Sequence, residues 1–467
     1  MDYKVLRYCV IAGAVLGAIL AVLGGILIPI GDSIIDGTVR KEAVIEVGTI
    51  AYDNWVSAGA AVYRQFWLFD VLNSEDIIAN GSKPVVAQRG PYTYKTRFLP
   101  KENITFHSND TVEFMLPAGA IFEPSMSVGS EEDVFTVLNL AVAGSYPVLP
   151  HAMLDLFMRL SNSSLFQRRN VKELLWGYPD PMLKTDLGVF HPYNGTYDGP
   201  YNVFTGKDDI SKVSRIDRWQ REPTVSFWND TYCNMINGTD GSSFAPFLDK
   251  REPLYFFSSD ICRSVSAEYV STENLKGIEV YRYMLPDKTL AAPSENPDNM
   301  CYCTDSPVNQ NCSLAGVLDV TTCRGIPVFI SLPHFLHGSE SLVQALDGLS
   351  PSEEEHSTFL DVDPITGFTL NFAKRLQMNM MYGPSTVIKD LLKVKDYTVF
   401  PVLWLNETAS LDDETANMFK AQLVTPMKTL EIVQITLLAI GCILFVICTI
   451  CAVIVPWKAK EDLNKTF

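Results

Sequence analysis

Six cysteines carry the clearest chemistry in this sequence, because they are clustered and even in number. Cys301 and Cys303 are too close together for a typical zinc-ribbon half-site, and no nearby histidine completes a metal set. An even cysteine set in an exported region is typical of disulfides, and its spacing leaves the connectivity open. We therefore predict three disulfides among Cys233, Cys262, Cys301, Cys303, Cys312 and Cys323.

Acceptor sites for N-linked glycans indicate the same exported compartment. A sequon is a weak signal alone, but nine of them around a cysteine cluster predict a glycan-covered surface. A tenth, Asn464, falls in a predicted inner tail and should stay unmodified. The predicted glycosylation sites are Asn80, Asn103, Asn109, Asn162, Asn194, Asn229, Asn237, Asn311 and Asn406.

The remaining reactive groups do not form a catalytic motif. His334 and His337 are spaced i, i+3 without a matching acid, which favours a loop. Asp361 and Asp363 lack the third ligand and the glycine of a calcium loop, so we interpret them as a turn. The sequence has no G-x-S-x-G, Walker A or H-E-x-x-H motif. We predict no catalytic residue, metal or cofactor, and we do not expect an enzyme.

Two long apolar segments flank the cysteine cluster and determine on which side of a membrane it lies. Val10–Ile30 and Ile432–Val455 are each long enough to cross about 30 Å of hydrocarbon as a helix. The first is longer than a signal-peptide core and has no A-x-A site after it, so we expect a retained anchor. Basic residues outside both segments place both tails in the cytoplasm. The predicted order is tail 1–9, span 10–30, outer segment 31–429, span 430–455 and tail 456–467.

Small and sulfur-containing residues in the spans allow two interpretations each. Cys9, Cys448 and Cys451 lie near the inner ends, where cysteines can be palmitoylated or can simply pack as small apolar side chains. Gly13 and Gly17 form a small-xxx-small pair that allows close packing with the second span or self-association with another copy.

Net charge limits the ligands that the outer segment can attract. The chain carries −17, and each terminal region (1–30 and 456–467) contributes +1, so the remainder carries −19. This acidic balance argues against binding to nucleic acid. A site for an anionic ligand therefore requires a local basic patch.

The outer segment reads mainly as short strands between turn signals. Examples are Tyr92–Leu99, Thr111–Leu116 and Val328–Leu332. No repeat of 20–50 residues and no low-complexity linker is present. We predict one α/β ectodomain dominated by antiparallel sheet.

Helical patterns occur in one part of this segment. Asp133–Ala143 opens with an acidic turn and continues as an apolar run, which predicts a helix. His151–Leu160 and Val171–Trp176 predict a helical hairpin. The first helix of the hairpin has an apolar face formed by Met153, Leu154, Phe157 and Met158.

Cations near the predicted turn of this hairpin could form a basic cap on an acidic protein. Such a cap would bind an anionic ligand, whereas an ordinary packed hairpin would carry the same residues as solvated charges. The residues concerned are Arg159, Arg168, Arg169 and Lys172.

Long stretches in order along the chain resemble the class B scavenger receptor family. They include QRGPYTY (88–94), GAIFEPSMSVG (119–129), ELLWGY (173–178), ENPDNMCYC (295–303) and EEEHSTFLDVDPITGFTLNFAKRLQ (353–377). The resemblance implies two transmembrane helices flanking a large ectodomain, with an antiparallel β-barrel core, an apical helical bundle near 133–176 and an internal hydrophobic tunnel. It also implies a disulfide-rich region at 233–323, with the pairs Cys233–Cys301, Cys262–Cys323 and Cys303–Cys312.

The resemblance further implies a function at a raft-enriched plasma membrane. We expect a receptor that binds long-chain fatty acids, other lipids, oxidised or otherwise modified lipoproteins and thrombospondin, and that passes lipid through the tunnel. The stretch Tyr94–Ile121 matches a region associated with thrombospondin, the cysteines near the inner ends match acylated positions, and the tails would contact Src-family kinases. The short tail after Val455 favours the fatty-acid-transporting branch over the lysosomal branch, because it lacks an acidic dileucine signal.

The sequence departs from the family at the predicted cap. Relatives have lysines in the loop between the two helices, whereas this chain has a sequon at Asn162. Arg159 and Arg168 could supply the charge instead, since guanidinium groups bind carboxylates well. A glycan at Asn162 could equally block the cap.

Three alternatives to lipid uptake differ in the features they require. A two-span ligand-gated channel needs a polar pore face, but Gln434, Thr436 and Thr449 make a poor stripe. A two-span ecto-enzyme needs catalytic acids that we do not find. A receptor for adhesion or trafficking without lipid transfer fits the same sequence.

Overall fold

Residues 3–57, 61–96, 100–303 and 312–464 are described by a computed structural model. The described chain divides into two units. The helical unit comprises 1–42, 276–278 and 413–467, and the sheet unit comprises 43–275 and 279–412.

The helical unit is built on two helices of 40 residues each, α1 (Tyr3–Glu42) and α11 (Thr425–Asn464). A short helix, α10 (Asp413–Phe419), leads into α11 through a π-helical turn. Both long helices are long and apolar enough to cross a membrane. The predicted spans lie inside them, and α1 continues beyond its span to a charged end where Arg40 pairs with Asp36 at 2.8 Å.

The sheet unit contains nineteen strands within the described residues. Their bounds are β1 Tyr63–Val71, β2 Val86–Thr96, β3 Glu102–Phe106, β4 Thr111–Pro117, β5 Ala120–Phe122, β6 Val134–Leu138, β7 Phe166–Asn170, β8 Tyr178–Pro179, β9 Asp186–Leu187, β10 Tyr197–Phe204, β11 Ile216–Trp219, β12 Leu254–Ser258, β13 Arg263–Leu275, β14 Ile278–Met284, β15 Leu318–Asp319, β16 Phe329–Ser331, β17 Phe359–Val362, β18 Thr369–Tyr382 and β19 Thr398–Ser410.

Eleven of these strands form one antiparallel sheet. Its main order is β12-β13-β14-β17-β18-β19-β1-β2-β5, and β16 joins β15 to β18. A second sheet has the order β11-β10-β4-β3, and β6-β7 and β8-β9 form separate pairs. The large sheet confirms the prediction of a domain dominated by antiparallel strands between two apolar helices.

Short helices connect the strands. They are α2 Ile50–Val56, α3 Ser74–Asn80, α4 Leu140–Ser145, α5 His151–Ser161, α6 Val171–Trp176, α7 Thr321–Arg324, α8 Glu340–Gln344 and α9 Glu353–His356. The predicted helices at His151–Leu160 and Val171–Trp176 are confirmed as α5 and α6.

The central strands place apolar side chains in the core at the positions that alternation requires. Phe66 and Leu68 of β1 and Leu403 of β19 are fully buried. Arg64 lies on the same face of β1 and pairs with Glu407 of β19 at 2.5 Å. Burial opposes the charged form of Arg64, but Glu407 and the other acidic groups nearby together outweigh it, and the pKa of Arg64 is raised. This ion pair therefore stays charged inside the sheet unit.

A second group of charges lies on the neighbouring strand. Lys374 of β18 pairs with Asp260, which also pairs with Arg324 at 3.3 Å. Burial opposes ionisation of Asp260, but Lys374 and Arg324 hold its pKa well below the usual value. In both groups, each charge has a partner of opposite sign within the sheet unit.

The structure corrects three predictions made from the sequence, in whole or in part. Residues 133–143 do not form one helix: β6 comes first, and Asn139 then caps α4 by accepting bonds from the backbone of Ala141 and Val142. β-branched and aromatic residues in 134–137 favour a strand, and pairing with β7 fixes it. Asp361 is not in a turn but buried in β17, where Arg282 donates two bonds of 2.7 Å to it, whereas Asp363 does begin the predicted turn and accepts two bonds from Thr366. The strand predicted at Tyr92–Leu99 begins earlier, in β2, and residues 97–99 lie outside the described ranges.

Candidate functional site

Helix α5 has a clear beginning and end in the sequence. It begins after Pro150, whose fixed φ suits a helix entry, and it ends at Asn162, which adopts a left-handed conformation with φ of 53°. The Ser161 hydroxyl donates to the Phe157 carbonyl at 2.7 Å and satisfies one acceptor of the last turn.

The inner side of α5 is held by apolar packing and one buried carboxylate. Leu154 and Met158 are 0% and 5% exposed and belong to the main core. Asp155 accepts a bond of 3.1 Å from the backbone N–H of Lys389 and pairs with Arg159 at 2.7 Å. These contacts fix the rotation of the helix, because a turn about its axis would unpair Asp155.

The outer side of α5 exposes a stripe of large apolar side chains. Met153, Leu156 and Leu160 are 45%, 53% and 76% exposed at positions i, i+3 and i+7. Residues at this spacing lie along one side of a helix. We call these three residues the α5 ridge.

The structure divides the predicted apolar face. Leu154 and Met158 point into the core, Phe157 is half-buried and only Met153 belongs to the exposed ridge. The sequence analysis missed Leu156 and Leu160. A signal was available, since a helix with apolar residues all round must expose some of them unless another element covers them.

The four predicted cap cations do not come together as one patch. Strand β7 separates the two helices, so Arg168 and Arg169 lie in a strand rather than in a helical turn. The Arg169 guanidinium stacks 3.8 Å from the Tyr178 ring centroid and pairs with Glu173 at 3.8 Å. Burial raises the pKa of Tyr178, so the guanidinium packs against a neutral ring. Arg159 is already paired with Asp155.

Arg159, Arg168 and Lys172 are all exposed, but Arg159 is paired with Asp155, which leaves Arg168 and Lys172 for a ligand. Within the described residues, neither has an ion pair within 4.0 Å. Acidic residues lie close by, since the Lys172 backbone N–H donates to the Glu131 carbonyl at 3.1 Å and the Asn170 side chain donates to Glu132 at 2.7 Å. The region therefore has mixed charge rather than a uniformly basic surface.

The disulfides lie in the predicted region and have the pairing that the resemblance implies. Cys233 is bonded to Cys301, Cys262 to Cys323 and Cys303 to Cys312. Their Cα atoms are 6.3, 6.3 and 5.3 Å apart, within the usual range for a disulfide. Cys233–Cys301 and Cys262–Cys323 tie the segments after β11 and after β12 to the segment before β16, and Cys303–Cys312 lies within that last segment.

The predicted glycan acceptors differ in accessibility. Asn237 and Asn406 are half-buried, and the Asn406 side-chain amide donates to Gln65 at 3.0 Å. Asn311 lies outside the described residues. The acceptors that are exposed are Asn80, Asn103, Asn109, Asn162, Asn194 and Asn229.

The two long helices pack against each other through small residues. Side chains added at Gly13 and Gly17 would meet Cys448 and the backbone at Phe445 of α11. These glycines are therefore used within the chain, and self-association would need another face. Cys9 is exposed, whereas Cys448 and Cys451 are only partly accessible, so Cys9 is the most open candidate for acylation.

These features define a class of protein: two apolar terminal helices and a large disulfide-bonded domain dominated by antiparallel sheet. A family model described as the CD36 family matches residues 15–452. The chain therefore belongs to the CD36 family of class B scavenger receptors.

Individual relatives match along most of their length. Scavenger receptor class B member 1 of Sus scrofa is 35% identical over 451 residues, which cover 92% of this chain and 87% of the relative. The Mus musculus protein of that name is 33% identical over 95% of this chain and 89% of its own. Lysosome membrane protein 2 of Mus musculus is 35% identical over 87% of each chain. Membership of this family supports a receptor with a lipid-binding role.

Proposed function

We propose that this protein is a cell-surface scavenger receptor that captures long-chain fatty acids and modified lipoprotein particles on the α5 ridge. Captured lipid then passes through a hydrophobic tunnel to the membrane. The observation that carries the proposal is the ridge itself, three large apolar side chains exposed side by side on a helix whose other side is packed into the core.

The ridge suits an acyl ligand for energetic reasons. Complete burial of a Leu or Met side chain contributes about 1.5–3 kcal/mol, so covering three half-exposed ones contributes roughly 2–4 kcal/mol. An acyl chain gains about 0.8 kcal/mol for each methylene that leaves water. A lipid surface and the ridge therefore stabilise each other without any covalent chemistry.

We assign the selection of anionic lipid to the exposed cations that follow α5 along the chain. Arg168 and Lys172 are free to meet a carboxylate or an oxidised headgroup, whereas Arg159 and Arg169 are engaged by Asp155 and Glu173. An attraction of this kind acts over about 8 Å at physiological ionic strength, so it selects nearby ligands and does not overcome the acidic exterior at long range.

Further parts of the proposal rest on the family resemblance. Thrombospondin-type ligands are assigned to Tyr94–Ile121, which begins in β2 and ends in β5. Src-family kinases are assigned to the cytoplasmic tails, and acylation of Cys9 to raft enrichment.

The ridge is tested by replacing it with polar residues of moderate size. Full-length protein carrying Met153→Ser, Leu156→Ser and Leu160→Ser should bind oxidised lipoprotein on cells at least tenfold more weakly than the unaltered protein. A matched control with Val47→Ser, Val128→Ser and Ile326→Ser, also exposed apolar positions, should bind normally. Equal binding by the ridge variant at equal surface expression contradicts the proposal.

Lipid transfer needs a separate measurement. We would reconstitute the full-length protein in nanodiscs of a single synthetic phospholipid and identify co-purified lipid by mass spectrometry. A stoichiometric long-chain fatty acid or sterol, absent from empty nanodiscs, supports the tunnel. Protein without such lipid favours the alternative of an adhesion receptor.

A further inference from the structure

A cleft of about 370 Å³ lies in the sheet unit and is lined by none of the α5 residues. Its apolar lining includes Val270, Met284 and Leu332. Its rim includes the turn at Asp287, the segment at His337 and the beginning of α9 at Glu353. The function proposed above does not use this cleft.

His337 joins the two sides of the rim. Its Nδ1 lies 2.7 Å from a carboxylate oxygen of Asp287, and its Nε2 contacts the carboxylate of Glu353. A neutral imidazole carries one N–H and a protonated imidazole carries two. Both contacts are therefore hydrogen bonds only when His337 is protonated.

Other charged groups around the rim already have partners. Glu268 pairs with Lys288 at 2.6 Å. Arg375 donates to the carbonyl of Ser357 at 2.6 Å. The lining also includes the phenol of Tyr269, which contacts the Thr272 hydroxyl at 2.8 Å.

The Glu353 carboxylate that contacts His337 is also held by a second hydrogen bond. Its second oxygen accepts a bond of 2.8 Å from Ser357. Burial opposes its ionisation, but the hydrogen bonds from His337 and Ser357 outweigh burial and lower the pKa of Glu353. The carboxylate is thus charged throughout the range in which a histidine titrates.

A second histidine contact joins the same two segments. His334 stacks on His356 of α9 with ring centroids 4.6 Å apart, and both rings are buried. Burial lowers the pKa of both, that of His334 to about 4, and Glu355 beside His356 does not offset this. Burial therefore disfavours the charged form of both rings, whereas His337 is the histidine of this rim with two carboxylate partners.

We propose that His337 is a pH-dependent clasp over this cleft. In an acidic endosome, the imidazolium binds Asp287 and Glu353 together and closes the rim. At extracellular pH the neutral ring keeps one hydrogen bond, and its other nitrogen presents a lone pair to the second carboxylate. The rim then opens, and the apolar lining becomes accessible. The receptor therefore presents a different surface at the cell surface and in endosomes.

Hydrogen–deuterium exchange of the full-length protein in detergent tests this clasp. After correction for intrinsic rates, amides of 284–289 and 351–358 should exchange about fivefold more slowly at pH 5.5 than at pH 7.5, the factor that corresponds to a partly exposed ion pair. His337→Gln should abolish this difference. His107→Gln, the same change at an exposed histidine elsewhere, should retain it.

A second variant separates the clasp from general effects of pH. Asp287→Asn removes one exposed carboxylate and keeps the histidine. It should abolish the pH dependence at 284–289 even if His337→Gln folds poorly. Equal protection at both pH values in the unaltered protein, or a pH dependence that survives both substitutions, overturns the proposal.

Discussion

Gln434 of α11 donates a hydrogen bond of 2.8 Å to the Leu27 carbonyl oxygen of α1. The side chain is only 5% exposed. In lipid a polar group has no water to bond, so this contact fixes the register of the two helices. Gly31 makes it possible, because a side chain there would overlap the Gln434 amide.

Substitutions in this contact should weaken the helix pair to different degrees. Gln434→Leu should cost about 1 kcal/mol, as for other hydrogen bonds between membrane helices. Gly31→Leu should cost more, because it both clashes and displaces Gln434. The free energy of separating the helices, measured by steric trapping in bicelles, checks both values. Gly25→Leu is the control, since a side chain there meets nothing within 4 Å, and a similar loss for this variant would contradict the prediction.

Breaking the buried pair Arg64–Glu407 should lower the free energy of unfolding far more than breaking an exposed ion pair. Arg64→Met leaves Glu407 charged without its partner and should lower the free energy of unfolding by about 3–5 kcal/mol. Lys83→Met breaks an exposed 2.6 Å pair with Asp347 and should cost less than about 1 kcal/mol. Urea unfolding followed by tryptophan fluorescence compares the two. Adding Glu407→Met to Arg64→Met should recover much of the loss, and a larger loss would argue against a pairwise origin.

The sheet unit should lose stability in acid through His334. Its pKa falls from 6.5 when unfolded to about 4 when folded, so the unfolded chain binds the proton first as pH falls. The contribution of His334 to stability is complete above pH 6.5, declines between pH 6.5 and 4, and falls by about 3 kcal/mol in total. Urea midpoints between pH 7 and 4 check this, best in a His337→Gln background that removes the clasp. A His334→Asn variant should show a flatter profile, and an unchanged slope would exclude His334 as the cause.

A glycan at Asn162 should reduce particle binding, since this residue directly follows the α5 ridge. Asn162→Gly removes the sequon and keeps the left-handed cap, because glycine adopts positive φ without strain. The variant should lose one glycan by mass and bind oxidised lipoprotein more strongly on cells. Asn80→Gln removes an exposed glycan elsewhere and should leave binding unchanged. An equal gain in both variants would indicate a general effect of deglycosylation.

Local sequence patterns were sufficient to predict the elements whose structure depends on residues close by in the chain. The apolar spans, α5, α6 and the dominance of antiparallel strands could all be predicted. The failure at 133–143 has a tertiary cause, because β6 exists through its pairing with β7, more than 25 residues further along the chain. An apolar run without alternation does not distinguish a buried strand from a helix.

The candidate site was harder to predict for the same reason. Whether Leu156 or Met158 is exposed depends on what packs against α5, and its distant contacts include Ser385 and Lys389, which bond to His151 and Asp155. The sequence did not show that Arg159 and Arg169 are paired with Asp155 and Glu173. His337 had no matching acid within its own segment, because its two acids come from positions 287 and 353.

The chain enters and leaves its sheet unit through two separate helices, and this has a consequence for proteolytic release. One cut anywhere in the sheet unit leaves each fragment attached to a membrane helix, and a cut between Cys233 and Cys301 also leaves the fragments joined by a disulfide. Shedding of a soluble receptor thus requires two cleavages, one after α1 and one before α11. A protease that acts once therefore releases no decoy into the surrounding fluid.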